Sequence, residues 1–334
     1  DEKGTYLTVN RDVPGTQITY LGYLLVVIGM FASLFNKKSR LVRLIRSTRK
    51  PDSHTAGKTG AAVLLLLALI WFPGQSMANT SSEKSPGSYV IQYDHARSAG
   101  KLMIQGNKGR IKPFSTVSSE LLRKIARKNS FKGLHSDQVI LSMMTYPQHW
   151  KDIPLIEIGH SRLKQLLNIP GSHASFDDFS RGPDQNYVLA DYVDRAYQKK
   201  PASRSKFDNE IIEVHERVHL CNLVFKTRIM KIFPVPGKTN QQWLDPTQAG
   251  SRFEDTDSLY VSSIVPLYLQ TLQKAQKTGE WKEAKMYLES MKDFQAKHAG
   301  DILPGENEKK LEIWYYDLNI FHKLFRAYGL IGVI

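Results

Sequence analysis

The sequence has almost no cysteine, since Cys221 is the single one among 334 residues. One thiol cannot form a disulfide within the chain. Without a Cys-x-x-Cys pair, the chain is neither a thiol reductant nor a carrier of covalently attached haem. Any folded domain in this chain must therefore be held together by its hydrophobic core.

Charge is missing from a long stretch near the beginning of the chain. The eighteen residues from Ile18 to Phe35 include no charged side chain. A helix of this length spans about 27 Å, which is close to the thickness of a bilayer's hydrocarbon core. The pattern predicts a transmembrane helix at 18–36. The expected fold class is therefore a membrane protein, with transmembrane α-helices plus a mainly α (α+β) extracytoplasmic domain.

Acidic residues are scarce in the segment that follows. Between Lys37 and Lys58, eight basic residues are opposed by a single acid, Asp52. Loops as short and basic as this one stay in the cytoplasm. The same segment supplies half of the net charge of +14, so the rest of the chain is not basic enough to indicate nucleic-acid binding.

A second apolar run, Ala61–Phe72, has two interpretations. A basic flank, a short apolar core and then Ser76-Met77-Ala78 are also typical of a cleavable signal peptide. The uncharged interval Thr59–Ser82 is long enough to span a bilayer, which favours an intact crossing.

These patterns predict a layout of six parts and a multi-pass protein of the cytoplasmic (inner) membrane. The parts are 1–17, the end of an extracytoplasmic region; 18–36, a transmembrane helix; 37–59, a basic cytoplasmic loop; 60–78, a transmembrane helix or signal-like segment; 79–318, a periplasmic α-rich domain; and 319–334, the start of a further transmembrane helix. Because the chain opens on Asp1 and closes on uncharged residues, we expect it to be the middle of a longer protein.

Periodicity predicts the local structure of the region 79–318. We expect strands at Ser88–Tyr93 and Leu102–Gln105, a helix at Val117–Lys128 capped by Ser115 or Thr116, a long helix at Phe207–Ile232 opened by a Ser205-x-x-Asp208 capping box, and an antiparallel helix pair at Leu259–Lys277 and Glu280–His298.

One motif matches the H-E-x-x-H of zinc proteases, namely His215-Glu216-Arg217-Val218-His219. Its two histidines are one helical turn apart and could share a metal, with Glu216 as the base. A catalytic site needs a third ligand, and downstream there are only isolated acids such as Asp245 and Glu254. The apolar stripe of the helix also leaves both histidines on its flank. We therefore predict no catalytic and no metal-binding residues, with a membrane-anchored zinc hydrolase as one alternative and a non-enzymatic periplasmic interaction domain as another.

Several short motifs spread over most of the chain resemble one family. They are Arg11-Asp12-Val13-Pro14-Gly15 before the first apolar run, Gly109-Arg110-Ile111-Lys112-Pro113, His149-Trp150, Gln295-Ala296-Lys297, and Glu312-Ile313-Trp314-Tyr315-Tyr316. Together they resemble the central portion of the fused ResB–CcsA proteins of System II cytochrome c biogenesis.

The resemblance implies that the whole protein binds haem, exports it and joins it to Cys-x-x-Cys-His of apocytochrome c as a haem lyase. Its expected partners are haem, apocytochrome c, the lipid bilayer and other parts of the same protein, and no nucleic acid. The family's axial histidines and tryptophan-rich loop lie in segments that this chain does not contain. The resemblance therefore assigns no haem ligand here, and it implies that this fragment alone is not catalytic.

Ten basic residues lie between Arg97 and Lys132, and Glu120 is the only acid among them. Such a cluster suits lipid phosphates, haem propionates or an acidic partner, and the alternative is an ordinary solvated helix face. Arg110 stands out, because a turn next to a helix start would hold its side chain rigidly.

Overall fold

The computed structural model describes residues 87–318, apart from 107–108, 182–185 and 236–241, together with the isolated positions 25, 320, 323–325 and 328. The chain divides into two compact units, Asp1–Pro73 and Gly74–Ile334, and nearly all described residues belong to the second.

The predicted fold class is wrong. None of the described helices is both long and apolar enough to cross a membrane. The longest of them, Asp255–Thr278, carries charged residues such as Asp257 and Lys274 and buries only one side. The described residues form a mainly helical domain. The same finding contradicts the predicted multi-pass inner-membrane localisation.

The predicted crossings lie outside the described residues: 18–36 apart from Leu25, 60–78, and most of 319–334. The predicted loop 37–59 lies outside them as well.

Helices dominate the part of the chain that the structure describes. In chain order they are α1 (Tyr93–Ala99), α2 (Phe114–Ala126), α3 (Ser136–Thr145), α4 (Pro147–Trp150), α5 (Ser161–Leu167), α6 (Ala190–Gln198), α7 (Lys206–Phe225), α8 (Pro246–Ala249), α9 (Asp255–Thr278), α10 (Lys282–Ala299) and α11 (Glu306–Leu318).

The strands between these helices form four short antiparallel pairs. They are β1 (Met103–Gln105) with β2 (Ile111–Pro113), β3 (Ser130–Phe131) with β4 (Leu134–His135), β5 (Ile156–Glu157) with β6 (His173–Ala174), and β7 (Ser180–Arg181) with β8 (Asn186–Tyr187). In the longest pair Ile104 lies opposite Lys112. The predicted strand at Leu102–Gln105 is therefore confirmed within one residue.

The hydrophobic core lies where α2, α3, α7 and α9 pack together. Leu122, Ile140, Val214 and Leu272 come from these four helices in turn, and each is fully buried. Burying one such side chain stabilises a fold by about 2 kcal/mol. Hydrophobic packing thus accounts for a fold that contains no disulfide.

The long helix α7 begins as predicted and ends early. Ser205 accepts a hydrogen bond from the backbone N–H of Asp208, and the Asp208 carboxylate accepts one from the backbone N–H of Ser205, which completes the capping box. At the other end Thr227 adopts a left-handed conformation with φ of 57°, and Arg228 N donates to Leu223 O at 2.9 Å. This bond closes the helix at Phe225, so the predicted end at Ile232 is wrong.

Two further local predictions are wrong. The segment 88–92 is not a strand, and α1 begins at Tyr93. Helix α2 begins at Phe114 with Pro113 at its N-cap, so neither Ser115 nor Thr116 caps it. The predicted antiparallel pair is confirmed as α9 and α10, joined at Gly279 with φ of 80°.

Candidate functional site

Several of the ten basic residues between 97 and 132 form ion pairs inside the described domain. Arg97 pairs with Asp137 and Asp317, Arg110 with Glu312, Lys112 with Glu120, and Arg127 with Glu157 and Glu213. Two of these acids, Glu312 and Asp317, belong to α11. We call Arg97, Arg110, His135 and Asp137 with these two acids the α11 contact.

The centre of the α11 contact is a buried carboxylate. The Asp137 side chain is fully buried, and its Oδ2 accepts hydrogen bonds from Arg97 Nη1 at 2.9 Å and from Ser115 Oγ at 3.0 Å. Gly100 lies against the same oxygen, so that a Cβ on Gly100 would come within 2.8 Å of it. Among the described residues Asp137 Oδ1 has no hydrogen-bond partner. The carboxylate is thus held at a fixed place by one arginine, one serine and close backbone packing.

Burial and charge act in opposite directions on these groups. Burial raises the pKa of the Asp137 carboxyl above its usual value, although His135, Arg97 and the Ser115 hydroxyl partly oppose it. Burial would lower the pKa of Arg97, but the charges of Asp137 and Asp317 outweigh it and raise that pKa. Burial would likewise raise the pKa of Asp317, yet the hydrogen bond from His135 and the charge of Arg97 lower it. The more exposed of the two acids therefore remains ionised to lower pH.

His135 links α3 to α11. Its Nδ1 accepts a hydrogen bond from the backbone N–H of Asp137 at 3.2 Å and so caps α3. The other ring nitrogen, Nε2, lies 3.2 Å from Asp317 Oδ1, within hydrogen-bond distance. Arg97 Nη2 reaches the other oxygen of Asp317 at 2.5 Å. One carboxylate of α11 thus binds two side chains of the domain.

A second set of contacts lies closer to the N-terminus of α11. Arg110 Nη2 is 2.9 Å from Glu312 Oε2, and the Tyr316 hydroxyl donates to Glu120 Oε1 at 3.1 Å. The Arg123 guanidinium lies over the Tyr316 ring, 5.2 Å from its centre. Arg110 is 67% exposed, and exposed ion pairs contribute only about 0–1 kcal/mol each. Arg110 therefore contributes only weakly to holding α11.

The H-E-x-x-H motif lies on α7 as predicted, with its two histidines on the flank of the helix. His215 is half-buried, and its Nδ1 is 3.1 Å from the Tyr187 hydroxyl, whereas His219 and Glu216 are exposed. Burial lowers the pKa of His215, and so does the neighbouring His219. Within the described part of the chain, no group of three or more His, Cys, Asp and Glu residues could hold a metal ion.

Arg217, inside the same motif, has a structural role. It is only 4% exposed, and it donates to the backbone oxygen of Glu157 at 2.5 Å and to Glu213 Oε2 at 3.0 Å. Glu210, two turns before Arg217 on α7, accepts from the backbone N–H of Gly159 at 2.6 Å. These bonds attach α7 to the β5–β6 pair.

The other histidines of the domain also make defined contacts. His95 is 2% exposed, and its Nε2 is 2.9 Å from the Tyr268 hydroxyl. Burial, with the charges of Lys285 and Lys292, lowers the pKa of His95 to about 4. His160 caps α5, and His149 stacks on Tyr89 with ring centres 3.3 Å apart.

Comparison with known proteins finds a similarity that extends along the whole of this chain. The chain is 29% identical over 337 residues to Protein NrfI of Wolinella succinogenes, a match that covers all of this chain and 36% of that protein. The chain thus spans about a third of the length of this relative. No family model matches the sequence.

The acids of the α11 contact were missed by sequence reasoning. Glu312 and Asp317 are separated from Arg97 and Arg110 by about 200 positions, and no local pattern connects them. One available signal was the surplus of acids at Glu306, Glu308, Glu312 and Asp317 against a basic cluster with a single acid.

Proposed function

We propose that this chain is part of a cytochrome c maturation protein of the System II, fused ResB–CcsA type. In this proposal the whole protein supplies haem to apocytochrome c and attaches it to Cys-x-x-Cys-His. The observation that carries the proposal is the similarity to NrfI along the entire chain. The family motifs between Arg11 and Tyr316 support it independently of overall identity.

The described domain is proposed to support this reaction without ligating haem iron. An axial ligand needs an accessible imidazole nitrogen beside an apolar, water-excluding wall. The nitrogens His95 Nε2, His135 Nε2 and His215 Nδ1 are each within 3.2 Å of another side chain. This arrangement favours haem ligands from segments of the whole protein beyond this domain.

Deleting the gene tests the proposed function. In a strain that makes c-type and b-type cytochromes, deletion should abolish covalently bound haem in c-type cytochromes and leave b-type haem unchanged. The measurements are haem staining of denaturing gels and pyridine haemochrome spectra, with immunoblots to show that apocytochrome is still made.

Reintroduction of the intact gene is the control and should restore staining. Normal covalent haem in the deletion strain would contradict the proposal. A parallel loss of b-type haem would also contradict it, because it would indicate a general defect in haem synthesis.

A further inference from the structure

A cleft of about 280 Å³ lies between α2, the end of α7 and the β1–β2 pair. Its inner wall is apolar. Ile104, Val117 and Leu121 are at most 9% exposed, and Leu220 and Leu223 are half-buried beside them. Binding sites for small molecules are typically concave and apolar with a few polar groups, and measure about 300–1,000 Å³. At about 280 Å³ the cleft is slightly smaller than that range and thus suits only a small molecule.

The acids that line the cleft are already occupied by other groups. Glu120 binds Lys112 Nζ at 2.5 Å and the Tyr316 hydroxyl at 3.1 Å. Asp245 Oδ1 accepts from Thr247 N at 2.9 Å and from Thr247 Oγ1 at 2.5 Å, and so caps α8. Neither carboxylate forms an ion pair with Lys124, Arg228 or Lys231, the other cations that line the cleft.

Three of those cations line the cleft without an acidic partner. Lys124 and Arg228 are exposed and Lys231 is half-buried. Among the described residues, none of the three has a carboxylate within 4 Å. The cleft therefore combines an apolar wall with uncompensated positive charge, which is the complement of an amphipathic anion.

Backbone strain occurs at the edge of the cleft that the end of α7 forms. Thr227 has a φ of 57°, in the left-handed region that β-branched residues rarely adopt. This position closes α7, and glycine is the residue that usually occupies it. The turn at Thr227 leads directly into Arg228 and Ile229, which both line the cleft. Strained backbone of this kind collects at functional sites.

We propose that this cleft binds a small amphipathic carboxylate, whose charged end lies between Arg228, Lys231 and Lys124 and whose apolar end contacts Ile104 and Leu121. The proposal is independent of the cytochrome c maturation function, since it rests on the cleft alone. Arg228 supplies a planar fork that matches a carboxylate, and Lys231 adds a second positive charge.

Calorimetric titration of the complete chain with dodecanoate, below its micelle concentration, tests the proposal. We expect saturable one-to-one binding that weakens about tenfold or more in the double variant Arg228→Gln with Lys231→Gln, a change that corresponds to about 1.4 kcal/mol. Methyl dodecanoate, which lacks the charge, should bind at least about tenfold more weakly than dodecanoate.

The matched control is Lys277→Gln with Lys282→Gln, which removes the same charge from two exposed lysines at the turn between α9 and α10. This variant should bind dodecanoate like the wild type. If the cleft double variant does not fold, Leu223→Glu places a carboxylate at the half-exposed wall and should reduce affinity to the same degree. The proposal is overturned by the absence of saturable binding, by equal binding of the methyl ester, or by cleft variants that bind like the control.

Discussion

Helices α7 and α11 belong to the same compact unit, but different forces hold them. Helix α7 buries Ile211, Val214, Val218 and Cys221, and its buried Arg217 adds polar bonds to β5. Helix α11 has no buried residue, and Leu311 is 62% exposed. Apolar burial thus fixes α7, whereas ion pairs and hydrogen bonds from Glu312, Tyr316 and Asp317 hold α11. Membership of one compact unit does not by itself show that a helix is part of the core.

Truncating one apolar residue in each helix should give the largest difference in stability between α7 and α11. Ile211→Ala removes a side chain that is 1% exposed and should lower the free energy of unfolding by about 3 kcal/mol. Leu311→Ala removes a side chain that is mostly in water and should change it by less than about 0.5 kcal/mol. Urea denaturation of both variants measures the two values. A comparable loss in both would mean that α11 is as well packed as α7.

Acid should affect the core and the α11 contact over different pH ranges. The folded state keeps His95 neutral, with its pKa lowered from 6.5 to about 4, so the unfolded chain binds that proton first. His95 therefore stabilises the fold fully above pH 6.5, and roughly 3 kcal/mol is lost as the pH falls from 6.5 to about 4. The lowered pKa of Asp317 means that its stabilising contribution is lost only below about 3.8.

Denaturation of the wild type and of His95→Gln across this range measures the effect. At each pH, the difference in stability between the wild type and His95→Gln gives the effect of His95 alone. It thus separates His95 from Asp137, whose raised pKa acts in the opposite direction. His149→Gln, at an exposed stacked histidine, is the control and should keep the wild-type pH dependence. If His95→Gln keeps that dependence as well, the buried imidazole is not its source.

The smallest effect is expected from weakening the α11 contact itself. Asp317→Asn removes the charge that Arg97 and His135 share, so amide hydrogen exchange in α11 should become faster while global stability falls by no more than about 1 kcal/mol. Added salt should accelerate exchange in the wild type in the same way, because it screens these pairs.

Glu280→Gln is the matched control for Asp317→Asn, since it removes one acidic charge between α9 and α10 and should leave exchange in α11 unchanged. Unchanged exchange in Asp317→Asn would show that the helix does not depend on this carboxylate.

Local signals predicted the helical parts of this domain well. The capping box at Ser205 and Asp208 fixes the start of α7, and Gly279 joins α9 to α10 where the sequence places the turn. Both signals act through neighbouring residues, so one stretch of sequence contains all the information. The periodicity that predicts a helix at Val117–Lys128 also lies within one stretch of sequence, and its apolar residues Leu121, Leu122 and Ile125 form the buried face of α2.

Predictions failed where distant residues decide the structure. Ser115 looks like a helix cap, but its hydroxyl binds Asp137 and the helix has already begun at Phe114. Arg110 looks like a free cation until Glu312 is brought to it from the other end of the domain. No pattern within a few residues contains these two contacts. The end of α7 was mispredicted for a local reason, since Thr227 adopts a conformation that its residue type disfavours.

The position of Cys221 has a practical consequence for spectroscopy. It is the only cysteine of the chain, it is 1% exposed, and burial raises the pKa of its thiol far above the usual range. Because thiol reagents attack the accessible thiolate, Cys221 should stay unlabelled while the domain is folded. A cysteine introduced on the surface of α11 can therefore carry a spin label or fluorophore without removal of the native one, and the delayed labelling of Cys221 itself would time the opening of the core.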